Sequence, residues 1–184
     1  SPWRVSALTP ITLAQELDDL DAALSQSGAA APVALGELGL DRGGRVPQGS
    51  GALQERAFRL QLAMARERDL PVVLHVVKAH GRALELVRAD GLPRRGGMVH
   101  AFSGSPEVAR SWLELGLHIS FSTLLVRPNT RRMRQAAQSV PLERLLCETD
   151  SPDQAPTLEE RGKNEPANLP RLIETLAALR EVDA

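Results

Sequence analysis

The chain has 184 residues, of which 42% are hydrophobic and 24% are charged, and its net charge at pH 7 is −1. This balance is ordinary for a globular protein, and it excludes a nucleic-acid binder that works through an overall basic field. A single cysteine, Cys147, excludes an intrachain disulfide and is typical of a reducing compartment. No apolar run reaches the roughly 18 residues of a membrane span, and no signal peptide opens the chain, so we expect a cytoplasmic protein with no membrane contact.

Helical and strand-like patterns alternate along the first 90 residues. Leu13, Leu17 and Leu20 recur at helical spacing behind Pro10, whereas the near-continuous apolar run from Val33 is typical of a buried parallel strand. The predicted elements are a helix over 10–26, a strand over 33–40, a Gly-rich loop over 41–51, a helix over 52–68, a strand over 72–77 and a helix over 80–90.

The same alternation continues to the end of the chain, with Ser105 as the expected N-cap of one helix. The predicted elements are a strand over 98–102, a helix over 106–115, a strand over 117–122, a helix over 130–139, a strand over 144–149, a Pro-rich loop over 151–170 and a helix over 170–182. Five strands that alternate with helices predict an α/β fold with a parallel, curved sheet.

Four residues of metal-ligand type lie at or near the ends of four predicted strands. They are Glu37, His75, His100 and Asp150. In α/β barrels the carboxyl ends of the strands share one face, so we expect these side chains to converge there. Carboxylate oxygens and neutral imidazoles suit Zn²⁺, Mn²⁺ or Mg²⁺, which would activate a water molecule, and Asp150 would then be the general base.

Some of these residues also allow simpler interpretations. A buried Glu37 needs a cationic neighbour, which is either a metal ion or an Arg or Lys side chain, and a single His75 within an apolar run would ordinarily be a core histidine. Cys147 is expected to be buried as a small apolar residue, and His80 and His118 are expected to be ordinary surface or strand-end residues, with His80 the better functional candidate.

Two further groups of residues are candidates for supporting roles. Glu148 shares a strand face with Asp150, and we expect it to form a hydrogen bond to a ligand histidine. A basic set follows the fourth predicted strand, 117–122, in the order Arg127, Arg131, Arg132 and Arg134. It forms either a solvated helix face or a contact with phosphates. Few aromatic residues are present, so recognition of a nucleic acid would depend on backbone and charge.

Five segments resemble the TatD family of metal-dependent deoxyribonucleases, in the amidohydrolase-like barrel superfamily. They are GELGLD (36–41), DLPVVLH (69–75), VHAFSG (99–104), PLERLLCETDSP (141–152) and NEP (164–166). The resemblance implies a TIM-like (β/α)₈ barrel with two divalent ions, and hydrolysis of DNA phosphodiester bonds that depends on Mg²⁺, Mn²⁺ or Zn²⁺, with single strands or ends as substrate. It also implies that Glu37 bridges the ions, that His75 and His100 bind one of them, and that Asp150 binds the other.

The chain departs from the family pattern at its beginning and after His75. The opening His-x-His-x-Asp of the family is not found. We therefore expect a single domain over 1–184 that is truncated at both ends. It would be an incomplete barrel that lacks the first two strands and the last helix. Lys78 replaces an Arg common after the family histidine, and Lys78, Ser103 and Arg127 are the substrate-binding candidates. A metal-dependent hydrolase of a small amide or ester, or an inactive barrel with one residual metal site, are the alternative functions.

Overall fold

The computed structural model describes residues 1–182, and the chain divides into an N-terminal unit, Ser1–Met98, and a C-terminal unit that begins at Val99. The described strands are β1 (Leu35–Asp41), β2 (Val72–Val77), β3 (Gly97–His100), β4 (His118–Phe121) and β5 (Leu145–Cys147). The described α-helices are α1 (Pro2–Ser6), α2 (Pro10–Leu24), α3 (Gly51–Glu67), α4 (His80–Asp90), α5 (Pro106–Glu114), α6 (Arg131–Ser139) and α7 (Leu169–Arg180). Within residues 1–182 none of the helices is long and apolar enough to span a membrane.

In the N-terminal unit, β1 and β2 pair in parallel, with Gly39 opposite His75 and Asp41 opposite Val77. The central side chains of β2 are buried, because a parallel strand of an α/β fold is covered on both faces. Helix α3 contributes Phe58 to this core, and that side chain is fully buried. Parallel pairing brings the carboxyl ends of β1 and β2 to the same edge, and the predicted ligands of this unit lie on these two strands.

In the C-terminal unit, β4 and β5 also pair in parallel, with Phe121 opposite Cys147. The buried Trp112 of α5 and an edge-to-face contact between Phe102 and Phe121, whose ring centroids are 6.0 Å apart, form part of its core. Both units therefore have the α/β character with parallel strands that the sequence predicted.

Several predicted boundaries are confirmed, and others shift for local reasons. Strand β2 and helix α4 have the predicted limits. Strand β3 ends two residues early because Ala101 has a φ of 45°, which leaves the extended region. Ser105 does precede α5, but its side chain makes no capping hydrogen bond.

Two expectations about the burial of apolar residues were wrong. Val33 is 80% exposed, and β1 begins only at Leu35. Cys147 is exposed, as is its neighbour Leu146, in a strand of only three residues. An apolar run marks a strand correctly in both places, but it does not show which of its side chains another element covers.

Candidate metal centre

Glu37 and His75 are neighbours within the β1–β2 pair of the N-terminal unit, four and two residues before the ends of their strands rather than at the ends. The Nδ1 atom of His75 lies 3.6 Å from Oε2 of Glu37, and its Nε2 atom lies 3.2 Å from Oδ2 of Asp41. The His75 side chain is 11% exposed, whereas that of Glu37 is 39% exposed. Glu37 is therefore less buried than the sequence suggested, and the contact with His75, rather than burial, makes it a candidate ligand.

Asp41 is a functional candidate that the sequence reasoning missed. It is the last residue of β1 and only 3% exposed, and its carboxylate accepts hydrogen bonds from the Trp3 indole and, at 2.5 Å, from the Gly43 amide. Burial alone would raise the pKa of Asp41, but these bonds and the contact with His75 together lower it below the ordinary value. The signal was visible in the sequence, because Asp41 directly follows the apolar run of the predicted strand over 33–40.

Trp3 connects helix α1 to this edge. Its ring meets the His75 imidazole edge-on, with centroids 5.6 Å apart and planes inclined at 76°. The Arg45 guanidinium lies 5.7 Å from the centre of the Trp3 ring, in the geometry of a cation–π contact. One side of the His75 ring is therefore bordered by an aromatic side chain that is itself 42% exposed.

His100 in the C-terminal unit also lies beside a carboxylate. It is the last residue of β3, and its Nδ1 atom is 3.6 Å from Oε1 of Glu148, which also accepts a hydrogen bond from the Ala101 amide. Burial alone would raise the pKa of Glu148, but His100 and the Ala101 amide lower it below the ordinary value. Glu148 thus lies beside a candidate ligand histidine, and its supporting role stays a prediction.

Asp150 follows β5 in a left-handed conformation, with a φ of 59°. Its Oδ2 atom accepts a hydrogen bond from the Gln154 side chain, whose amide oxygen accepts one from Ser122. A non-glycine residue is uncommon in this region of backbone space, and it persists only where its surroundings hold it. The Gln154 contact is part of what holds the carboxylate of Asp150 in place.

Asn164 stabilises the segment that carries Asp150. It is 5% exposed, and its Nδ2 atom lies 2.7 Å from the Thr149 carbonyl oxygen and 2.6 Å from that of Asp153. The Thr123 hydroxyl contacts the same segment through the Thr149 and Gln154 carbonyls. Sequence reasoning found Asn164 only as part of the NEP motif and gave it no role, since side chains that bridge a coil segment leave no periodic pattern.

The three substrate-binding candidates differ in their surroundings. Lys78 is exposed directly after β2, and Ser103 is exposed shortly after β3. Arg127 is half-buried, and its guanidinium donates to the carbonyl oxygens of Ala155 at 2.8 Å and Thr157 at 3.2 Å. Arg127 therefore braces the long loop after β5, whether or not it also contacts a phosphate.

Comparison with known proteins gives a consistent result. The family model described as TatD related DNase matches residues 2–184. The chain is 35% identical to the uncharacterized metal-dependent hydrolase YcfH of Escherichia coli strain K12, over 91% of this chain and 61% of that protein. It is 36% identical to the 3'-5' ssDNA/RNA exonuclease TatD of Salmonella typhimurium, over 89% of this chain and 64% of that protein.

Two solved structures of a TatD homolog and a TatD family protein share the fold. The crystal structure of YjjV, a TatD homolog from Escherichia coli K12, has a TM-score of 0.82 and 30% identity, and the match covers 99% of this chain and 67% of that one. A TatD family hydrolase from Entamoeba histolytica has a TM-score of 0.80 at 21% identity, covering 99% and 66% of the two chains. The chain spans about three fifths of the length of the curated relatives it matches, since it covers 61% of the first of them.

Proposed function

The chain belongs to the TatD-related DNase family, and on that premise we propose that it is a divalent-metal-dependent hydrolase of DNA phosphodiester bonds. A relative that is 36% identical is named a 3'-5' ssDNA/RNA exonuclease, which supports single strands and their ends as the substrate. The protein has few aromatic side chains and a net charge of −1, so its contacts with such a strand would be local and directed at phosphates.

The observation that carries this proposal is the contact between Glu37 and His75. It presents a carboxylate oxygen and an imidazole nitrogen 3.6 Å apart on adjacent parallel strands, and this donor chemistry fits Mg²⁺, Mn²⁺ or Zn²⁺. The proposed ligand set adds His100 and Asp150, which lie at or just beyond the ends of β3 and β5. One or two such ions, when bound, would act as Lewis acids and lower the pKa of a water molecule.

The remaining roles fall to the protein's own side chains. Asp150 would take the proton from the attacking water, and the Gln154 amide that binds its Oδ2 atom would orient it for that task. Lys78 and Ser103, both exposed just beyond strand ends, are proposed to contact phosphates, and Arg127 is proposed to do so while it braces the loop.

The test is a nuclease assay on the 184-residue chain after chelation and reloading with a single metal. We expect cleavage of a single-stranded oligonucleotide, labelled at its 3' or its 5' end, only when the metal is present. His75→Ala should lower both metal content and cleavage more than about 100-fold, beyond the 10- to 100-fold effect of residues that merely support a ligand. His118→Ala, a histidine on β4 outside the proposed ligand set, is the matched control.

Two results would contradict the proposal. A chain that retains no metal by elemental analysis and cleaves no oligonucleotide would refute a metal-dependent nuclease. Metal-dependent hydrolysis of small esters or amides without cleavage of oligonucleotides would instead favour the alternative function, a hydrolase of small substrates on the same fold.

A further inference from the structure

We propose that Asp41 is a positioning residue that fixes the tautomer and the orientation of the His75 imidazole. The inference concerns the N-terminal unit alone, and it rests on the proposed function only in taking His75 as a metal ligand. Asp41 itself would touch neither the metal nor the substrate.

Two carboxylates lie on opposite sides of the His75 imidazole. Glu37 faces the Nδ1 atom of His75 and Asp41 faces its Nε2 atom, at 3.6 Å and 3.2 Å. A neutral imidazole has one N–H donor and one lone pair, and an ionised carboxylate can only accept. The ring must therefore donate to one carboxylate, and only its other nitrogen can bind a metal.

The two contact distances differ, and this difference determines which carboxylate accepts the hydrogen bond from His75. The Asp41 contact meets hydrogen-bond distance, whereas the Glu37 contact is too long for a hydrogen bond. The His75 Nε2–H therefore donates to Asp41, and the lone pair of Nδ1 is directed towards Glu37. Ligand histidines commonly donate their second N–H to a carboxylate, which fixes the ring and makes it a better ligand.

Asp41 is itself held in place by several hydrogen bonds. Its Oδ1 atom accepts from the Gly43 amide at 2.5 Å, and its Oδ2 atom accepts from the Trp3 indole as well as from His75. The Gln54 side chain binds both the amide and the carbonyl of Asp41, at 2.8 Å and 3.1 Å. A carboxylate with these partners has little freedom to rotate, so it can impose an orientation on its neighbour.

Gly39 allows β1 to approach the backbone of His75 closely. It lies opposite His75 in the β1–β2 register with a φ of 144°, and a Cβ atom at this position would collide with the His75 carbonyl oxygen. Glycine is the residue that adopts this conformation without cost. The GELGLD segment thus contains the candidate ligand Glu37, a close approach to His75, and the carboxylate that orients it.

Nitrogen-15 NMR of the imidazoles in the metal-free protein near pH 8 tests the proposal directly. The chain has four histidines, so the His75 signals can be assigned by replacing one histidine at a time. We expect His75 to carry its proton on Nε2 in the wild type and to become a mixture of tautomers in Asp41→Ala. The affinity for Mn²⁺, measured by calorimetry, should fall about 10- to 100-fold in the same variant.

Three further variants separate positioning from general stability. Asp41→Asn keeps one acceptor oxygen, which cannot serve Gly43, Trp3 and His75 together, so we expect a smaller tautomer change than in Asp41→Ala. Trp3→Phe keeps the ring beside His75 and removes one hydrogen bond to Asp41, so its effect should be smaller still. The control is Asp90→Ala, which removes a carboxylate that Arg59 binds elsewhere in the same unit and should leave the His75 signals unchanged.

The outcomes separate this proposal from the proposed function. An unchanged His75 tautomer in Asp41→Ala, with Mn²⁺ affinity within twofold of the wild type, would overturn the positioning role. If Asp41→Ala does not fold, an unchanged tautomer in Asp41→Asn would overturn it equally. If the wild type binds no metal but its His75 tautomer still depends on Asp41, the proposed function fails while the positioning role stands.

Discussion

The β1–β2 edge of the N-terminal unit and the segment after β5 in the C-terminal unit hold their candidate ligands by different means. His75 lies within the parallel ladder opposite Gly39, and Glu37 lies in the same strand pair at the irregularity between Gly36 and Leu38, with ladder-paired residues on both sides. Asp150 lies in a coil segment, where side chains replace the ladder: Asn164 and Thr123 bind its carbonyl oxygens, and Gln154 binds the Asp150 carboxylate.

The difference shows how the two kinds of segment are made rigid. Buried backbone groups must find partners, and a strand supplies them without the help of side chains. A coil segment must obtain them from residues distant in sequence, such as Asn164, which is 15 positions from Thr149. We therefore expect single substitutions in the bracing side chains to be more costly after β5 than at the β1–β2 edge.

Asn164→Ala should have the largest effect on the segment after β5. The change removes a buried donor from the carbonyl oxygens of Thr149 and Asp153. Each hydrogen bond of this kind contributes about 0.5–1.5 kcal/mol, so the loss of two should lower the free energy of unfolding in urea by about 1–3 kcal/mol. Amide hydrogen exchange should become faster in the segment around Asp150.

The matched control for that prediction is Asn129→Ala, which removes an exposed asparagine from the same unit. It should change the free energy of unfolding by less than about 0.5 kcal/mol, as is usual for exposed positions. Equal effects from the two variants would contradict the idea that Asn164 replaces a strand ladder.

The five strands and helices α2 to α7 were predictable from the sequence, whereas helix α1 and the bracing contacts were not. Strand β2 is a run of apolar residues that Pro71 precedes, and its limits of 72–77 followed from that pattern. Glu148 was identified from an expected strand alternation with Asp150, but β5 ends at Cys147 and Asp150 has a φ of 59°, so the alternation does not extend to these residues. Cys147 was misjudged because the alternation gives a face but does not show whether another element covers it.

Asp41 shows a second limit of the sequence. Its position at the end of an apolar strand was visible, but its contact with His75 depends on the β1–β2 register. Its hydrogen bond with Trp3 joins residues 38 positions apart, and no local pattern indicates such a pair. Residue type and position near predicted strand ends indicated the candidate ligands, the resemblance to the TatD family assigned them to two ions, and the structure was needed for the residues that orient them.

A second prediction concerns acid and the start of α4 in the N-terminal unit. Burial lowers the pKa of His80 to about 4 from an ordinary value of 6.5. Between these two pH values the unfolded chain binds a proton at this histidine and the folded protein does not, so stability is full above pH 6.5 and is lost as the pH falls. We expect a loss of about 2 kcal/mol by pH 4, less than the full shift implies because the ring is partly exposed.

Urea unfolding of His80→Gln and the wild type at several pH values measures the loss of stability that protonation of His80 causes. The difference in unfolding free energy between the two proteins should shrink as the pH falls from 7 to 4, because glutamine does not titrate. His118→Gln, on β4 of the other unit, serves as the control for replacing a histidine. A constant difference between His80→Gln and wild type across this range would show that His80 does not contribute to acid sensitivity.

Substitutions of Lys78 and Arg127, one basic candidate from each unit, should have the smallest effects, and the two variants should differ in stability. Lys78 is exposed beyond β2, so Lys78→Gln should reduce the slope of log affinity against log salt by about 0.7 for a single strand, without loss of stability. Arg127 donates to the Ala155 and Thr157 carbonyl oxygens, so Arg127→Gln should also cost about 1 kcal/mol of unfolding free energy. Arg94→Gln, whose side chain is 91% exposed, controls for the loss of one charge. A lower salt slope in Arg127→Gln with unchanged stability would show that Arg127 contacts phosphate without bracing the loop. The contrast between the two regions would then not extend to their basic residues.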